Sequence, residues 1–358
     1  MALSIGIIGL PNVGKSTLFN ALTLKKAEAS NYPFCTIEPN VGVVKVPDER
    51  LGQIAAISKP KKIIPTVIEF VDIAGLVKGA HKGEGLGNQF LHNIRECDAV
   101  CEVIRDFKDL NITHVHNKID PGYDRDIISL ELIMADLETI EKRHAKAVKE
   151  ARGGNKEAVN LLNLFERIKA GLEKEIPARA LEYTDEENKT VKGLSLLTAK
   201  PILYVLNVDD SCSDNIKTSL KSEVKSNEVI NLNIKQEQEI AELSEEEQKE
   251  YIKELGIGQS GLDKLIEFSY TLLGLITFFT TGPDETRAWT IRNGAKAPQA
   301  AGVIHTDFEK GFIRVEVIKF EKFIESGSES AAREKGFIRA EGKEYIVKDG
   351  DICNFLFN

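Results

Sequence analysis

Continuous apolar runs of strand length stand out along the chain. Residues 3–8 and 200–206 form two such runs, residues 63–73 form a strongly β-prone run, and residues 18–22 open a helix soon after the first of them. Runs of this kind are typical of buried strands in a parallel sheet that is covered by helices on both faces. The pattern predicts an α/β fold in which residues 200–206 form a central strand.

The middle of the chain changes to a helical period. Six residues follow 4-3-4-3-4 spacing, the a/d seam of packed helices: Ile133, Leu137, Ile140, His144, Ala147 and Ala151. Gly153-Gly154 then interrupts the helix, and a second stripe follows at Ala158, Leu162, Phe165, Ile168 and Leu172. This pattern predicts an antiparallel, coiled-coil-like helical hairpin that protrudes from the sheet domain.

After about residue 275 the pattern becomes one of short strands and turns. Strands are predicted at 287–291, 311–318, 344–347 and 352–357, with a turn at 349–351. His305, Asp307 and Glu309 are close in sequence, but alternate residues along one strand edge make a poor ligand set. We expect a non-catalytic binding module here.

Composition narrows the class of protein. The chain has 358 residues, 42% of them hydrophobic and 29% charged, which indicates a soluble globular protein of two or three domains. It has no apolar run long enough to span a membrane, and its first residues lack the basic region of a signal peptide, so we expect a cytoplasmic protein. Five irregularly spaced cysteines suit reduced thiols: Cys35, Cys97, Cys101, Cys212 and Cys353. The net charge of −9 argues against attraction of the whole molecule to nucleic acid but not against a local basic patch.

Residues 9–17, Gly-Leu-Pro-Asn-Val-Gly-Lys-Ser-Thr, form a complete Walker A loop between the first strand and the first helix. Its backbone N–H groups and the helix N-terminus favour bound phosphate. The residues expected to hold the phosphates are Asn12, Val13, Gly14, Lys15, Ser16 and Thr17, with the Ser16 hydroxyl also a ligand of Mg²⁺. The loop predicts binding of a nucleoside triphosphate.

A second phosphate motif lies at the end of the β-prone run at 63–73. Asp72-Ile73-Ala74-Gly75 ends that run, so Asp72 is expected to hold Mg²⁺ and the Gly75 amide to contact the γ-phosphate. Thr36, in the polar loop 31–40, is expected to close over Mg²⁺ as the first switch. Residues 79–87 contain four glycines and are expected to form a second switch.

The residue after this motif is Leu76, where many GTPases carry the glutamine that orients the attacking water. Leucine cannot orient water by hydrogen bonding, so another residue must do so or hydrolysis must be slow. His114, in the stretch 111–115, is a candidate. A packed strand histidine is the equally open alternative.

Two segments compete for the base-reading role. Asn117-Lys118-Ile119-Asp120 matches the guanine-specific NKxD pattern, but its preceding strand is short and Pro121-Gly122 follows at once. Asn207-Val208-Asp209-Asp210 follows the apolar run at 200–206, and ligands bind at the carboxyl ends of such strands. We therefore prefer Asn207, Val208 and Asp210.

The chain resembles the YchF/OLA1 family of Obg-related P-loop ATPases. The resemblance covers nearly the whole chain and rests on residues 9–17, on Asn-Tyr-Pro-Phe-Cys-Thr-Ile-Glu-Pro-Asn at 31–40, on Phe-Val-Asp-Ile-Ala-Gly-Leu-Val-Lys-Gly-Ala at 70–80 and on Ile-His-Thr-Asp-Phe-Glu-Lys-Gly-Phe-Ile-Arg at 304–314. It implies a G domain at 1–122 and 199–276, a hairpin insertion at 123–198, and a C-terminal TGS domain of β-grasp fold at 277–358.

The resemblance also bears on the chemistry. It implies a leucine at position 76, a base motif displaced to Asn207, a preference for ATP over GTP, and a role in hydrolysis for His114. The family pattern at the base motif is Asn-x-x-Glu, whereas this chain has Asp210, and an aspartate can also accept hydrogen bonds from guanine N–H groups, as in ordinary GTPases. The family's ribosome association implies a ribosome or RNA contact through the hairpin and the TGS domain.

The sequence thus predicts a monomeric, Mg²⁺-dependent ATPase that acts as a switch in translation or stress response. The alternatives are an Obg-type GTPase that reads guanine with Asn117 and Asp120, and a ribosome- or RNA-binding protein that uses hydrolysis only as a timer. Basic residues near the hairpin tip are either an RNA contact or an ordinary solvated face: Lys142, Arg143, Lys146, Lys149, Arg152 and Lys156. Asn12 is a candidate for placing K⁺. Cys35 could make the first switch redox-sensitive, but an inert small residue is the preferred interpretation.

Overall fold

The computed structural model describes residues 3–25, 40–73, 87–109, 111–114, 118–153, 155–209, 228–254 and 256–358, and within them two mixed sheets carry the fold. The strands are β1 Ser4–Ile8, β2 Val41–Lys45, β3 Lys62–Ile64, β4 Val67–Asp72, β5 Ala99–Asp106, β6 Ile202–Val208, β7 Val229–Leu232, β8 Leu275–Thr281, β9 Glu285–Arg292, β10 Phe312–Lys319, β11 Arg339–Glu341 and β12 Asp351–Phe357. The helices of the first part are α1 Lys15–Leu24, α2 Glu49–Ser58, α3 Asn88–Glu96, α4 Pro121–Ala151, α5 Lys156–Leu172 and α6 Asp185–Leu194. Those that follow are α7 Ile234–Ala241, α8 Glu245–Glu254, α9 Gly261–Leu272, α10 Ala297–Ile304, α11 Thr306–Lys310, α12 Phe320–Ser326 and α13 Glu329–Glu334.

The first sheet has the order β2-β4-β1-β5-β6-β7. All its pairings are parallel except β2 with β4. Ile5 and Ile7 of β1 face a core shared with α1 and α9, whereas Ile8 faces a second core shared with α3 and α4. Burial on both faces explains the continuous apolar runs and confirms the α/β prediction.

The predicted helical hairpin is confirmed by α4 and α5. The residues that bury its seam belong to one cluster: Ile133, Ile140, Ala147, Leu164, Phe165, Ile168 and Leu172. His144 lies at the seam and places Nε2 3.6 Å from a carboxylate oxygen of Glu166. The sequence spacing therefore identified the packed faces correctly.

The second sheet has the order β11-β10-β12-β8-β9-β3. Three features of this part of the chain differ from the sequence prediction. His305, Asp307 and Glu309 do not lie on a strand edge, because His305 is the N-cap of the short helix α11. Residues 344–347 do not form a strand, since Ile346 makes only an isolated bridge with Lys296. The run at 63–73 is not one strand either: Pro65, which lacks an N–H, separates β3 from β4, and β3 joins the second sheet parallel to β9.

Helix α2 lies between β2 and β3 and packs on this second sheet. Its residues Leu51 and Ile54 share a core with Phe279, Phe323 and Ile352. The chain between β2 and β4, which are neighbours in the first sheet, is therefore built into the second. Among the described residues, no helix is long and apolar enough to cross a membrane.

Candidate functional site

The glycine-rich loop between β1 and α1 is held in a strained conformation by its neighbours. Gly9, Asn12 and Gly14 have φ values of 144°, 62° and 103°. A Cβ at Gly9 would collide with the carbonyl oxygen of Val103 in β5, and one at Gly14 would lie 2.5 Å from Nδ2 of Asn207. The loop therefore needs glycine at both positions to lie this close to β5 and β6.

Lys15 is the charged centre of this loop. Its side chain is 9% exposed, and Nζ donates a hydrogen bond to the carbonyl oxygen of Leu10 at 2.6 Å. Burial lowers the pKa of Lys15 to about 8, against the opposing effect of the Asp72 carboxylate. A partly desolvated ammonium group in a loop of backbone amides suits an anion.

The N-terminus of α1 adds to this anion site. Gly14 is the N-cap of α1 and brings no side chain to cap it. The N–H groups of the first turn are therefore left to a ligand or to water. Ser16 in this turn is exposed and Thr17 is half-buried.

Asp72 stands at the carboxyl end of β4. It is 6% exposed, pairs in register with Ile7 of β1, and donates its N–H to the carbonyl oxygen of Asn40 at 2.9 Å. A buried carboxylate and a serine hydroxyl at the head of α1 are hard oxygen donors that suit Mg²⁺. Five other predicted site or switch residues lie outside the described residues: Cys35, Thr36, Gly75, Leu76 and Asp210. The alternative base-reading residue Asn117 and residues 79–86 of the predicted second switch lie outside them as well.

Asn207 braces the loop from below. Its side-chain amide donates from Nδ2 to the carbonyl oxygen of Val13 at 2.9 Å and accepts at Oδ1 from the Ile234 N–H at 3.3 Å. The residue is 7% exposed, and its neighbour Val208 is half-buried. One amide thus ties the phosphate loop, β6 and the N-terminus of α7 together, a contact that the sequence analysis did not anticipate.

Asp120 of the competing NKxD segment caps a helix. Its side chain accepts a hydrogen bond from the Tyr123 N–H at 3.3 Å, with Pro121 in the first turn of α4, and it pairs with Lys118 at 2.8 Å. Aspartate before proline is a common start of a helix. The aspartate of this segment therefore has a structural role, as the N-cap of α4.

His114 is buried beside the phosphate loop. It is 6% exposed, and its Nε2 lies 2.8 Å from Oδ2 of Asp124 in α4. The preceding carbonyl oxygen, of Thr113, accepts a hydrogen bond from Nδ2 of Asn12 at 3.2 Å. His114 is therefore packed, as the alternative interpretation expected, but residues 111–114 do not form a strand.

Sequence reasoning missed several buried charged residues near this edge, and two of them hold neighbouring segments in place. Arg105 is 1% exposed and donates hydrogen bonds to three carbonyl oxygens of the loop after β5. Glu237 of α7 accepts the Gly261 and Leu262 N–H groups at 2.7 and 3.1 Å, which ties α7 to the start of α9. For Arg105 a signal was present, namely charged residues inside the mostly apolar strand β5.

Comparisons with known proteins agree along the whole chain. A family model described as "50S ribosome-binding GTPase" matches residues 4–140, and the YchF-GTPase_C model, described as "Protein of unknown function (DUF933)", matches residues 275–358. The "Ribosome-binding ATPase YchF" of Bacillus subtilis (strain 168) is 54% identical, and that of Escherichia coli O157:H7 is 52% identical, each over 100% of both chains.

A solved structure is similar as well. The Schizosaccharomyces pombe YchF GTPase superposes with a TM-score of 0.91 at 38% identity, over 99% of this chain and 97% of that one. Because sequence and fold agree over essentially the full length of these relatives, the chain belongs to the YchF family of P-loop nucleotide-binding proteins.

Proposed function

We propose that this protein is a Mg²⁺-dependent nucleoside triphosphatase that hydrolyses ATP in preference to GTP and acts as a nucleotide-dependent switch on the ribosome. The observation that carries the proposal is the buried Lys15 in a strained, doubly braced phosphate loop. Relatives of the same length are named ribosome-binding ATPases. This cradle of amides and one cation is complementary to the β- and γ-phosphates.

The residues proposed to hold Mg²⁺ are Ser16, Thr36 and Asp72. The ion would neutralise charge that develops on the phosphate oxygens. Lys15 would release the Leu10 carbonyl and donate to phosphate instead, and the Gly75 amide would contact the γ-phosphate. Removal of Mg²⁺ with a chelator should abolish turnover.

For the base, the proposal assigns Asn207, Val208 and Asp210. Asn207 keeps a second amide hydrogen and a second lone pair beyond the contacts to Val13 and Ile234. Val208 lacks the long side chain that lies along guanine in NKxD proteins, which favours adenine. The rival, a GTPase that reads guanine with Asn117 and Asp120, is disfavoured by the capping role of Asp120.

Calorimetric titration with ATP and GTP tests the base assignment. Asn207→Ala should weaken binding of both nucleotides, because Asn207 also braces the loop, so the ratio of the two affinities is the informative quantity. Val208→Lys should shift that ratio toward GTP, and Asn117→Ala should leave both affinities unchanged. A selective loss of GTP binding in Asn117→Ala would overturn the assignment in favour of the rival.

For the attacking water, we propose His114. Leu76 cannot orient water, and Thr113 contacts the phosphate loop at Asn12. The ring would have to leave Asp124, 2.8 Å away, to reach the γ-phosphate. His114→Ala should lower kcat roughly 100-fold with the nucleotide Kd unchanged; unchanged turnover would leave the histidine as a packing residue only.

For ribosome contact, we propose the tip of the hairpin at 123–198 and a TGS-type β-grasp module at 277–358. Lys146, Lys149 and Arg152 lie near the tip, and the Lys146 side chain is 70% exposed although it pairs with Glu150. Replacing these three residues by glutamate should abolish co-sedimentation with ribosomes. Charge reversal of three other exposed lysines, Lys249 and Lys253 in α8 and Lys264 in α9, is the matched control. Equal behaviour of both variants would overturn the tip assignment.

The remaining assignments follow the same reasoning. Asn12 is proposed to help place K⁺ beside the phosphates, which predicts higher turnover in potassium than in sodium. Equal turnover in the two salts would remove this role. A monomer in the cytoplasm is proposed as the working state, and sedimentation analysis tests the monomer.

A further inference from the structure

The loop that follows β5 touches three parts of the nucleotide site. The carbonyl oxygen of Thr113 accepts from Asn12 in the phosphate loop at 3.2 Å. The Lys108 N–H donates to Oδ2 of Asp209, after the end of β6, at 2.8 Å. Nε2 of His114 lies 2.8 Å from Oδ2 of Asp124 in the first turn of α4. The position of this loop therefore sets where His114 lies relative to the phosphates.

Arg105 organises the loop from inside the protein. Its Nε donates to the Phe107 carbonyl oxygen at 3.2 Å, Nη1 to that of Ile112 at 3.0 Å and Nη2 to that of Asp109 at 3.2 Å. All three acceptors are main-chain groups of the same loop. The Phe107 ring also lies over the guanidinium, with Cζ 4.4 Å from the ring centroid.

The chemistry of arginine explains this choice of residue. The planar guanidinium presents donors in a fixed fork, so one side chain can bond carbonyls that lie several residues apart. A lysine at the same position has a single charged nitrogen and cannot reach three separated carbonyls. Burying a cation is unfavourable unless its hydrogen bonds are made, so the loop is bound to adopt a shape that satisfies the guanidinium.

The register of the sheet places Arg105 at the nucleotide edge. It pairs with Asn207 across β5 and β6, and Asn207 reaches the phosphate loop at Val13. Two neighbouring strands thus each send one buried polar side chain to a loop of the site. Asn207 braces the loop that holds phosphate, and Arg105 braces the loop that carries His114.

We propose that Arg105 is a positioning residue for hydrolysis, which holds residues 107–109 and 111–114 so that the His114 ring, once it leaves Asp124, reaches the γ-phosphate. The inference rests on the role proposed above for His114. Arg105 is 1% exposed, and its side-chain hydrogen bonds go to main-chain carbonyl oxygens. Its loss displaces the loop, and displacement of a reacting group by about 1 Å lowers turnover about 100-fold.

Single-turnover and steady-state ATP hydrolysis by the full chain test this proposal, with nucleotide Kd measured by calorimetry. Arg105→Lys should lower kcat about 10- to 100-fold while Kd changes less than about twofold. In a His114→Ala background the same substitution should have no further effect on kcat. Arg292→Lys, at an exposed arginine of the second sheet, is the control and should match the parent protein.

Three outcomes would overturn the inference. A raised Kd with kcat unchanged would mean that Arg105 acts through the phosphate loop and Asn12. An effect on kcat that persists in the His114→Ala background would mean that it acts independently of the histidine. A normal kcat for Arg105→Lys would show that the loop does not need the guanidinium.

A second variant covers the case in which Arg105→Lys does not fold, as judged by thermal unfolding. Phe107→Leu removes the half-buried ring stacked on the guanidinium and leaves Arg105 in place. It should lower kcat about threefold to tenfold without changing Kd. An unchanged kcat in this variant would overturn the proposal, whereas unchanged turnover in His114→Ala alone would identify the proposed role of the histidine as the error.

Discussion

The carboxyl edge of the first sheet and the α2 face of the second sheet are each stabilised by a different kind of contact. At the edge, loops are fixed by single polar side chains, with Asn207 under the phosphate loop and Arg105 under the loop after β5. At the α2 face, apolar side chains such as Leu51 and Ile54 pack against Phe279 and Phe323. The first arrangement specifies geometry, and the second supplies free energy of folding.

This difference separates function from stability within one chain segment. The segment from β2 to β4 begins after the first predicted switch and ends at Asp72, yet its middle belongs to the second sheet. Substitution of Lys15 at the edge should change nucleotide chemistry and leave the free energy of unfolding nearly unchanged. Substitutions in α2 should do the reverse, and each prediction below tests one side of this contrast.

The largest expected effect is that of Lys15→Met. Loss of the cation should weaken ATP binding by roughly 1000-fold, about 4 kcal/mol, because the phosphates lose their closest positive charge. The nucleotide-free variant should be as stable as the parent or more so, since a buried ammonium with a lowered pKa is replaced by an apolar chain of similar length. Calorimetry and thermal unfolding measure the two quantities, and a large loss of stability would contradict the contrast.

Ile54→Ala should produce the opposite result. Ile54 is fully buried in the core shared by α2 and the second sheet. Truncation should lower the free energy of unfolding by about 3 kcal/mol through lost burial and a cavity. ATP affinity should stay within twofold of the parent, and Ile57→Ala, at a half-buried position of the same helix, is the milder control.

Arg50→Ala should also lower the free energy of unfolding, by less than Ile54→Ala does. The Arg50 guanidinium joins Asp48, the N-cap of α2, to Asp349 in the turn before β12, at 2.8 and 2.6 Å. Asp349 also accepts the Thr277 N–H at 2.9 Å, so the arginine links α2 to the second sheet through one carboxylate. We expect a loss of about 1 to 2 kcal/mol. Denaturant unfolding measures it, and an equal loss in Lys61→Ala, which removes a fully exposed ion pair with Asp284, would contradict the argument.

The phosphate loop, the central strands and the hairpin could be predicted because each has a local signal. Residues 9–17 combine glycine spacing with lysine, and the seam from Ile133 to Ala151 follows a helical period. Such signals depend only on neighbours along the chain. The apolar run of β6 likewise located Asn207 at a carboxyl strand end.

The predictions that failed concern residues whose partners are distant in sequence. The β-prone run at 63–73 gave no sign that Pro65 divides it between two sheets, because the choice of sheet depends on β9, more than 200 residues later. Residues 344–347 have strand composition but lack a neighbouring strand with which to form a ladder. The role of Arg105 depends on how the loop after β5 folds back, which no sequence period encodes.

The smallest expected effect is the uptake of a fraction of a proton when ATP binds. Burial lowers the pKa of Lys15 to about 8 from 10.5, so between these values the unfolded chain binds more protons than the folded one. Stability of the nucleotide-free protein should therefore rise with pH from about 8 to 10.5, and this rise should be absent in Lys15→Met. Phosphate beside the ammonium raises its pKa, so ATP binding at pH 8.5 should take up a fraction of a proton. Calorimetry in two buffers of different ionisation enthalpy measures that fraction, and a buffer-independent enthalpy would show that Lys15 is already fully charged before the nucleotide arrives.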